Sequence, residues 1–179
     1  MNKKPLYFLA VLSCLIGSLY FYFNTTHELF FDECAFCDQK VLIRQKFYED
    51  DLVIALYTHK PIFPGHCLII PKRHVERFEM LNEEEISQMG RVIKKVNVAA
   101  SNVFGTSSYI LLQKNGLEVG QSVPHVHFHY IPRRTGHNST LKFLIKMYIA
   151  NVQNPLSRAE MQKVVEQMKK AIESDDINR

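Results

Sequence analysis

The segment PHVHFHYIPRR, at residues 124–134, alternates between polar and apolar side chains with a period of two. This alternation predicts a half-buried β-strand, since successive side chains on a strand point to opposite faces of its sheet. We expect the strand to end at Pro132. One face would carry the imidazoles of His125, His127 and His129, and the other would direct Val126, Phe128 and Tyr130 into a core. The chain is therefore expected to build a sheet with one face available for chemistry.

The remaining patterns predict the elements around this strand. Strands are expected at 53–59, 66–71 and 107–113, and helices at 81–105, 139–150 and 157–173. Capping-box patterns open two of these helices, with Asn82 and Glu85 in the first and Ser157 and Glu160 in the last. The order of elements predicts an α+β fold, an antiparallel sheet with helices packed on one side.

The N-terminal residues predict a separate segment. Lys3 and Lys4 precede a run of 18 uncharged, mostly apolar residues, 6–23, and acidic side chains follow from Glu28. A helix of that length measures about 27 Å, close to the roughly 30 Å of a bilayer's hydrocarbon core. The sequence therefore predicts an N-terminal transmembrane helix, with the N-terminus in the cytoplasm and the globular domain on the opposite side. The alternative is a cleaved signal peptide and a secreted or periplasmic protein.

These patterns predict three parts of the chain: a membrane anchor or signal segment at 1–28, a globular domain at 29–137 and a C-terminal helical extension at 138–179. The net charge of +4 is too small to indicate binding to a nucleic acid. The charge is nevertheless uneven, because residues 105–159 carry six basic side chains and one acidic side chain. That distribution favours an anionic ligand, although a solvated basic surface would give the same count.

Two kinds of chemistry suit the row of histidines. The imidazoles would either bind a catalytic metal or supply a nucleophile with partners for phosphate and protons. A hydrolytic metal site often includes a carboxylate, and the sequence has no Asp or Glu between Glu118 and Glu160. The neighbouring groups instead suit a phosphate: Ser122, the backbone N–H groups around Gly120, Arg133 and Arg134. This composition favours a nucleophilic histidine over a metal.

The stretch GQSVPHVHFHYIPR, at 120–133, resembles the signature of the histidine triad family, in which three histidines alternate with apolar residues. The similarity extends through residues 59–81 and 104–121, so that it covers roughly residues 30–135. The sequence is most similar to the fragile histidine triad branch of dinucleoside polyphosphate hydrolases. The resemblance implies that residues 29–137 form a histidine triad domain, and that two protomers pair as a homodimer.

The resemblance also assigns roles to individual residues. His127 corresponds to the nucleophile that attacks the α-phosphorus, and the carbonyl near His125 would hold its Nδ1–H. His129 would bind or protonate a phosphate oxygen, and His66 matches a fourth histidine that lines the pocket. Ser122 and the backbone of Gln121 match the loop that cradles phosphate, and Asn115 would contact phosphate or sugar. A histidine at position 129, where transferase branches carry glutamine, favours hydrolysis over transfer.

The sequence departs from the family pattern at two positions in the expected substrate site. Thr58 stands where the family usually has Asp or Asn to bind ribose, and it is a weaker partner for the sugar. Lys114 stands where the fragile histidine triad branch has Gln. A cation at this position would favour additional phosphate charge, or would simply be part of the solvated surface.

The CAFC segment contains a second candidate site. Cys34 and Cys37 have the spacing of half a zinc site or of a redox dithiol, and His74 and His125 are candidates for a third and a fourth ligand. The set resembles that of the zinc-bearing bacterial histidine triad proteins, which implies a structural Zn²⁺ and no organic cofactor. In an oxidising compartment, a disulfide between Cys34 and Cys37 is the alternative.

The sequence thus predicts a nucleotide hydrolase. It would cleave a phosphoanhydride or phosphoramidate bond at the α-phosphate of a (di)nucleoside phosphate, through a nucleotidyl-histidine intermediate. Two alternatives stay open. One is a catalytically silent, membrane-tethered module that binds nucleotides, and the other is a metallohydrolase whose metal is held by the histidines.

Overall fold

The computed structural model describes residues 34–134 and 139–177, together with Ser13, Cys14 and Gly17. The chain divides into two compact units, residues 1–33 and 34–179, and the fold described below is that of the second unit. In chain order its helices and strands are α1 (Gln39–Gln45), β1 (Lys46–Glu49), β2 (Val53–Tyr57), β3 (Cys67–Pro71), α2 (Glu83–Phe104), β4 (Tyr109–Gln113), β5 (Phe128–Pro132), α3 (Thr140–Val152) and α4 (Arg158–Ile177). Single turns of 3₁₀ helix lie at Phe78–Met80 and Leu117–Val119.

The five strands form one sheet in the order β1-β2-β3-β5-β4, and all neighbouring strands are antiparallel. The register places Leu68 of β3 and Leu112 of β4 on either side of His129 in β5. Because β5 lies between β3 and β4, its side chains are flanked by both of these strands. The predicted α+β fold with an antiparallel sheet is confirmed.

The two long helices α2 and α4 pack against one face of the sheet. Their apolar residues join the inward-facing side chains of the strands in a core that includes Ala55, Ile69 and Tyr130. Both predicted capping boxes are present. In α2, the Asn82 side chain accepts from Glu85 N–H and the Glu85 carboxylate accepts from Asn82 N–H. The same reciprocal pair joins Ser157 and Glu160 at the start of α4.

The opposite face of the sheet carries a smaller apolar cluster, which the short helix α1 contributes to. Its buried members are Phe36, Leu42, Ile54, Leu56, Leu68 and Ile70. Helix α1 was not predicted, because its seven residues bury only Leu42 and Gln45 and give no sustained periodicity. The sheet is therefore covered by long helices on one face and only in part on the other, where the histidines lie.

The strand that contains the histidines is shorter than predicted. Its ladder begins at Phe128 rather than near Pro124, whereas its end at Pro132 agrees with the prediction. Ahead of it the backbone bends, with the N–H of His125 bonded to Val123 O at 2.8 Å and that of Val126 bonded to Val75 O at 2.6 Å. Proline at 124 also lacks the N–H that a ladder requires. His125 and His127 consequently precede the strand, and His129 lies within it.

The prediction of an N-terminal transmembrane helix is wrong. Among the described residues, no helix is both long enough and apolar enough to span a bilayer. The longest helices, α2 and α4, carry charged side chains along their length, and α3 has 13 residues. Within the run 6–23, positions 13, 14 and 17 are described and the others lie outside the described residues. The predicted membrane tether and the predicted localisation both depended on this helix, and they are wrong for the same reason.

Candidate active site and metal cluster

Three imidazoles, two of them buried and that of His129 half-buried, meet on the less covered face of the sheet. His66 immediately precedes β3, and its Nε2 lies 2.9 Å from Nδ1 of His129 in β5. The ring of His127 lies against that of His129 in an edge-to-face arrangement, with centroids 4.9 Å apart. Antiparallel pairing of β3 with β5 brings the first two histidines together although 63 residues separate them. The structure therefore groups His127 and His129 with His66, as the resemblance implied.

The hydrogen bonds of these rings define where their protons lie. Ile62 N–H donates to His66 Nδ1 at 3.2 Å, so the proton of a neutral His66 is on Nε2, which donates to His129 Nδ1. A neutral His129 then carries its own proton on Nε2. His127 Nδ1–H donates to the carbonyl of His125 at 2.7 Å, which leaves the lone pair of His127 on Nε2. One ring thus offers a nucleophilic nitrogen and its neighbour an N–H donor.

Burial keeps these imidazoles neutral. It lowers the pKa of His66 to about 3 and, with the nearby His66 and His127 as further causes, that of His129 to about 2. Burial is also the main reason why the pKa of His127 is lowered, although the hydrogen bond to the His125 carbonyl opposes it. A neutral imidazole keeps the lone pair that nucleophilic attack requires.

A second cluster contains the four predicted metal ligands. The ligand atoms of Cys34, Cys37, His74 and His125 all lie within 4.8 Å of one another. The Sγ atoms of Cys34 and Cys37 are 3.3 Å and 3.7 Å from Nδ1 of His125, and Cys37 Sγ is 3.4 Å from Nδ1 of His74. Tetrahedral zinc, with bonds of about 2.3 Å to sulfur and 2.0–2.1 Å to nitrogen, places these atoms about 3.5 Å apart. The four residues therefore fit a tetrahedral metal ion.

The Nε2 atoms of His125 and His74, which are the ring nitrogens that face away from the cysteines, also have partners that suit a metal site. His125 Nε2–H donates to Pro71 O at 2.9 Å, which leaves its Nδ1 free of a proton and directed at the sulfurs. Nε2 of His74 lies 3.8 Å from the carboxylate of Glu76. Carbonyl and carboxylate partners of this kind orient histidine ligands in metal proteins. Cys34 and Cys37 are free thiols here and do not form the alternative disulfide.

The two clusters are joined at His125. Its ring belongs to the cysteine cluster, whereas its carbonyl accepts the Nδ1–H of His127. Phe36, between the two cysteines in sequence, packs edge-on against both rings, with centroids 5.9 Å from His125 and 5.1 Å from His127. The CAFC turn thus supports the backbone and the ring of the predicted nucleophile.

The loop after β4 contains most of the predicted substrate residues. Asn115 Oδ1 accepts from Phe78 N–H and its Nδ2 donates to Glu79, so this side chain ties the loop to a neighbouring turn. Gln121 is buried, with its Oε1 accepting from Gly116 N–H. Ser122 is exposed at the end of the loop. Glycines at positive φ, 117° at Gly116 and 77° at Gly120, allow its tight path.

The other predicted residues lie in different surroundings. Thr58 is buried, and its N–H donates to the carbonyl of His66 at 3.2 Å. Arg133 lies near the stacked rings of Phe63 and Phe143, with its guanidinium carbon 5.4 Å and 4.9 Å from their centroids. Arg134 donates to the carbonyl of Phe104. The partners described for the two arginines are thus aromatic rings and a carbonyl rather than the imidazoles.

A comparison with models of protein families shows which family the chain belongs to. The model of the HIT domain matches residues 39–136, more than half of the sequence. The chain belongs to the HIT family. This confirms the resemblance to the histidine triad proteins, and the match begins with α1 and ends just after the strand that carries His129.

Relatives of this HIT protein include uncharacterised proteins and named enzymes. An uncharacterised HIT-like protein of Methanocaldococcus jannaschii is 36% identical over 112 residues, 62% of this chain and 86% of the relative. The asymmetrical bis(5′-nucleosyl)-tetraphosphatase of Schizosaccharomyces pombe is 40% identical over 90 residues, half of each chain. The crystal structure of a Plasmodium falciparum diadenosine triphosphate hydrolase superposes with a TM-score of 0.60 at 24% identity, over 73% of this chain and 78% of the other. This structural similarity shows that the two chains share a fold.

Sequence reasoning missed several groups in this HIT site. Phe36 received no role in the predicted site, and the Ile62 N–H and the Pro71 carbonyl left no signal because they are backbone groups. Phe36 lies inside a C-x-x-C segment. This position could have suggested that a turn whose cysteines bind a metal holds Phe36 beside the histidines. Backbone partners of buried imidazoles become visible only when the strands are paired.

Proposed function

We propose that this protein is a nucleotide hydrolase that cleaves a phosphoanhydride or phosphoramidate bond at the α-phosphate of a (di)nucleoside phosphate. The proposal is supported by membership of the HIT family and by similarity to a bis(5′-nucleosyl)-tetraphosphatase. The chain spans half the length of that enzyme, so the activity is proposed here from the site itself.

The hydrogen bond from His127 Nδ1–H to the His125 carbonyl is the observation that carries this proposal. It directs the Nε2 lone pair toward the position of the α-phosphorus in the proposed complex. As a bond forms between Nε2 and phosphorus, the bond from phosphorus to the leaving group breaks, at an oxygen in a phosphoanhydride and at a nitrogen in a phosphoramidate. The nucleotide is then joined to His127, and the carbonyl stabilises the positive charge on the substituted ring. Water subsequently displaces His127 and releases the mononucleotide.

The neighbouring histidines hold the phosphate in this mechanism. His129 donates its Nε2–H to a phosphate oxygen as charge develops there, and the bond from His66 keeps that proton on Nε2. Ser122 and the backbone of Gln121 cradle the phosphate, Asn115 contacts phosphate or sugar, and Thr58 takes the family's ribose-binding position as a weaker partner. These roles follow from the family resemblance.

Replacing His127 with Ala tests the mechanism. We expect no release of AMP from diadenosine triphosphate, tetraphosphate or an AMP phosphoramidate, with an unchanged circular dichroism spectrum. His129→Gln should slow the second step, so that mass spectrometry of the quenched protein detects an AMP adduct on His127. Hydrolysis by the His127→Ala protein at the wild-type rate would overturn the proposal. Tight nucleotide binding by the wild type without any AMP release would support the silent module instead.

We also propose that Cys34, Cys37, His74 and His125 hold a structural Zn²⁺. Four protein ligands leave no position for water or substrate, which is typical of structural zinc. The ion would connect the CAFC turn to the segment before β5 and so fix the carbonyl that orients His127. The homodimer implied by the family stays a prediction.

A further inference from the structure

Lys114 follows the last residue of β4 and lies beside the proposed nucleophile. The ladder ends with the pair of Gln113 and Phe128, and Lys114 and His127 are the next residues beyond its end. Leu112 and His129 form the preceding pair on the same face. Lys114 comes two residues after Leu112, the cross-strand partner of His129. Its positive charge acts on both His127 and His129, so the ammonium lies near these rings.

The loop after β4 holds the Lys114 ammonium close to its own backbone. Nζ donates to the carbonyl of Gly120 at 3.2 Å, and a Cβ built on Gly120 would lie 3.4 Å from Nζ. This bond engages one of the three N–H donors of the ammonium. The acidic residue of the same loop, Glu118, lies near Arg77, whose pKa it helps to raise. The lysine is half-buried, and its other N–H donors can bind a ligand.

The remaining groups around the imidazoles supply little positive charge. Burial keeps His66 and His129 neutral, and the positive charge of Lys114 contributes to the lowered pKa of both His127 and His129. Arg133 and Arg134 are engaged by aromatic rings and a carbonyl elsewhere. Among the described residues beside the pocket, the ammonium is thus the cation whose charge acts on the nucleophile.

We propose that Lys114 is a specificity-determining residue that binds the phosphate chain beyond the α-phosphate. The preferred substrates would then be nucleoside polyphosphates joined by phosphoanhydride bonds rather than AMP phosphoramidates. This inference rests on the proposed hydrolase function and narrows its substrate class. A polyphosphate chain carries additional negative oxygens next to the α-phosphate, whereas the amine of a phosphoramidate carries none. A charge-assisted bond from Nζ to such an oxygen favours the first class only.

The test compares wild type, Lys114→Gln and Lys114→Arg as full-length proteins. The kcat/KM values are measured with diadenosine triphosphate, diadenosine tetraphosphate and an AMP phosphoramidate, at low and high NaCl. Glutamine keeps the length and polarity of the side chain but removes its charge. The matched control is Lys94→Gln, which removes the same charge from the exposed surface of α2, on the other face of the sheet. Thermal melts verify that all variants are folded.

We expect Lys114→Gln to lower kcat/KM for both diadenosine polyphosphates about tenfold to a hundredfold, the usual effect of losing a hydrogen bond from a charged group. The phosphoramidate value should fall about threefold or less, since only diffuse charge is lost there. Lys114→Arg should keep most of the wild-type activity on the polyphosphates. In Lys114→Gln, kcat/KM for the polyphosphates should depend less on the NaCl concentration than in wild type. A merely structural lysine would not give this dependence on substrate charge.

Other outcomes separate a failure of the proposed role of Lys114 from a failure of the proposed hydrolase function. Equal losses on all three substrates, or no loss on any, would overturn the role of Lys114 while the hydrolase function stands. A wild-type preference for the phosphoramidate would overturn it as well. If the wild type releases AMP from none of the three substrates, the proposed function itself fails.

Discussion

His125 contributes two atoms to two different groups. Its ring nitrogen Nδ1 faces the cysteine sulfurs, and its backbone oxygen accepts the Nδ1–H of His127. A metal that fixes the ring therefore also fixes the carbonyl, because both belong to one residue at a bend in the backbone. The position of one side chain thus connects the stability of the cysteine cluster to the tautomer of the proposed nucleophile.

The buried His66 predicts a loss of stability in acid. Its pKa falls from the ordinary 6.5 to about 3 in the folded protein, mainly through burial, so the unfolded chain binds the proton more readily. This contribution is constant above pH 6.5, and the free energy of unfolding should fall as the pH drops from 6.5 toward 3. The slope from one such group approaches about 1.4 kcal/mol per pH unit.

Urea unfolding of the His66→Asn protein at a series of pH values measures this effect. Asparagine keeps an acceptor for Ile62 N–H but cannot take up the proton. We expect the variant to be less stable than wild type at pH 7 and to lose stability less steeply below 6.5. The control is His59→Asn at an exposed loop position, whose effect on the slope should be smaller. Identical slopes for His66→Asn and wild type would contradict the prediction.

The sequence predicted the identities of the site residues better than their interactions. It indicated His66, His127 and His129, because their types and spacing match the family motif. It could not indicate that the Asn115 and Gln121 side chains bond within the protein, with Phe78 N–H and Gly116 N–H as their donors. Nor could a period of two separate His125 from the other histidines, since the bend at 123–125 depends on contacts such as that with Val75.

At the scale of elements, the long helices were predictable and the short ones were not. Helix α2 has an apolar stripe, a capping box and Gly105 at φ 71° after its last turn, so its bounds were predicted within two residues. Helix α1 has seven residues with two of them buried, and no local pattern identifies it. The same limit explains why β5 begins later than expected, because alternation continues through residues that have no ladder partner.

The start of α2 should contribute more to stability than the start of α4. Both have a glutamate in the capping box, but Glu85 is buried and also accepts two bonds from Arg73, at 2.9 and 2.7 Å. The Arg73 bonds are the main cause of the lowered pKa of Glu85. Replacing Glu85 with Gln keeps a capping acceptor but removes the charge that Arg73 binds, which should cost about 1.5–3 kcal/mol.

The matched variant for this comparison is Glu160→Gln, which changes the exposed capping glutamate of α4 in the same way. We expect it to alter the free energy of unfolding by about 0.5 kcal/mol or less. Urea denaturation of both proteins at neutral pH provides the measurement. Equal effects would show that the ion pair with Arg73 adds nothing to the capping interaction.

At the scale of the whole molecule, the cysteine cluster joins segments that are distant in sequence. Cys34 and Cys37 precede α1, His74 follows β3, and His125 precedes β5. A metal bound to all four would close loops that the unfolded chain leaves open, and it would bind the folded state in preference to the unfolded one.

Removal of zinc should therefore destabilise the protein and loosen the support of His127. Wild-type protein is expected to contain about one zinc per chain, and a chelator should lower the free energy of unfolding by about 2.7 kcal/mol if free zinc had exceeded its Kd a hundredfold.

Cys34→Ser should lose the metal, whereas Cys67→Ala, which removes a buried thiol of β3 outside the cluster, should retain it. Elemental analysis of purified proteins distinguishes the two, since a general loss of fold would remove zinc from both. Equal zinc content in wild type and Cys34→Ser would exclude Cys34 as a ligand. If zinc is lost as expected, broadening of the His127 ring signals in NMR spectra of the same protein would connect the metal to the nucleophile through the carbonyl of His125.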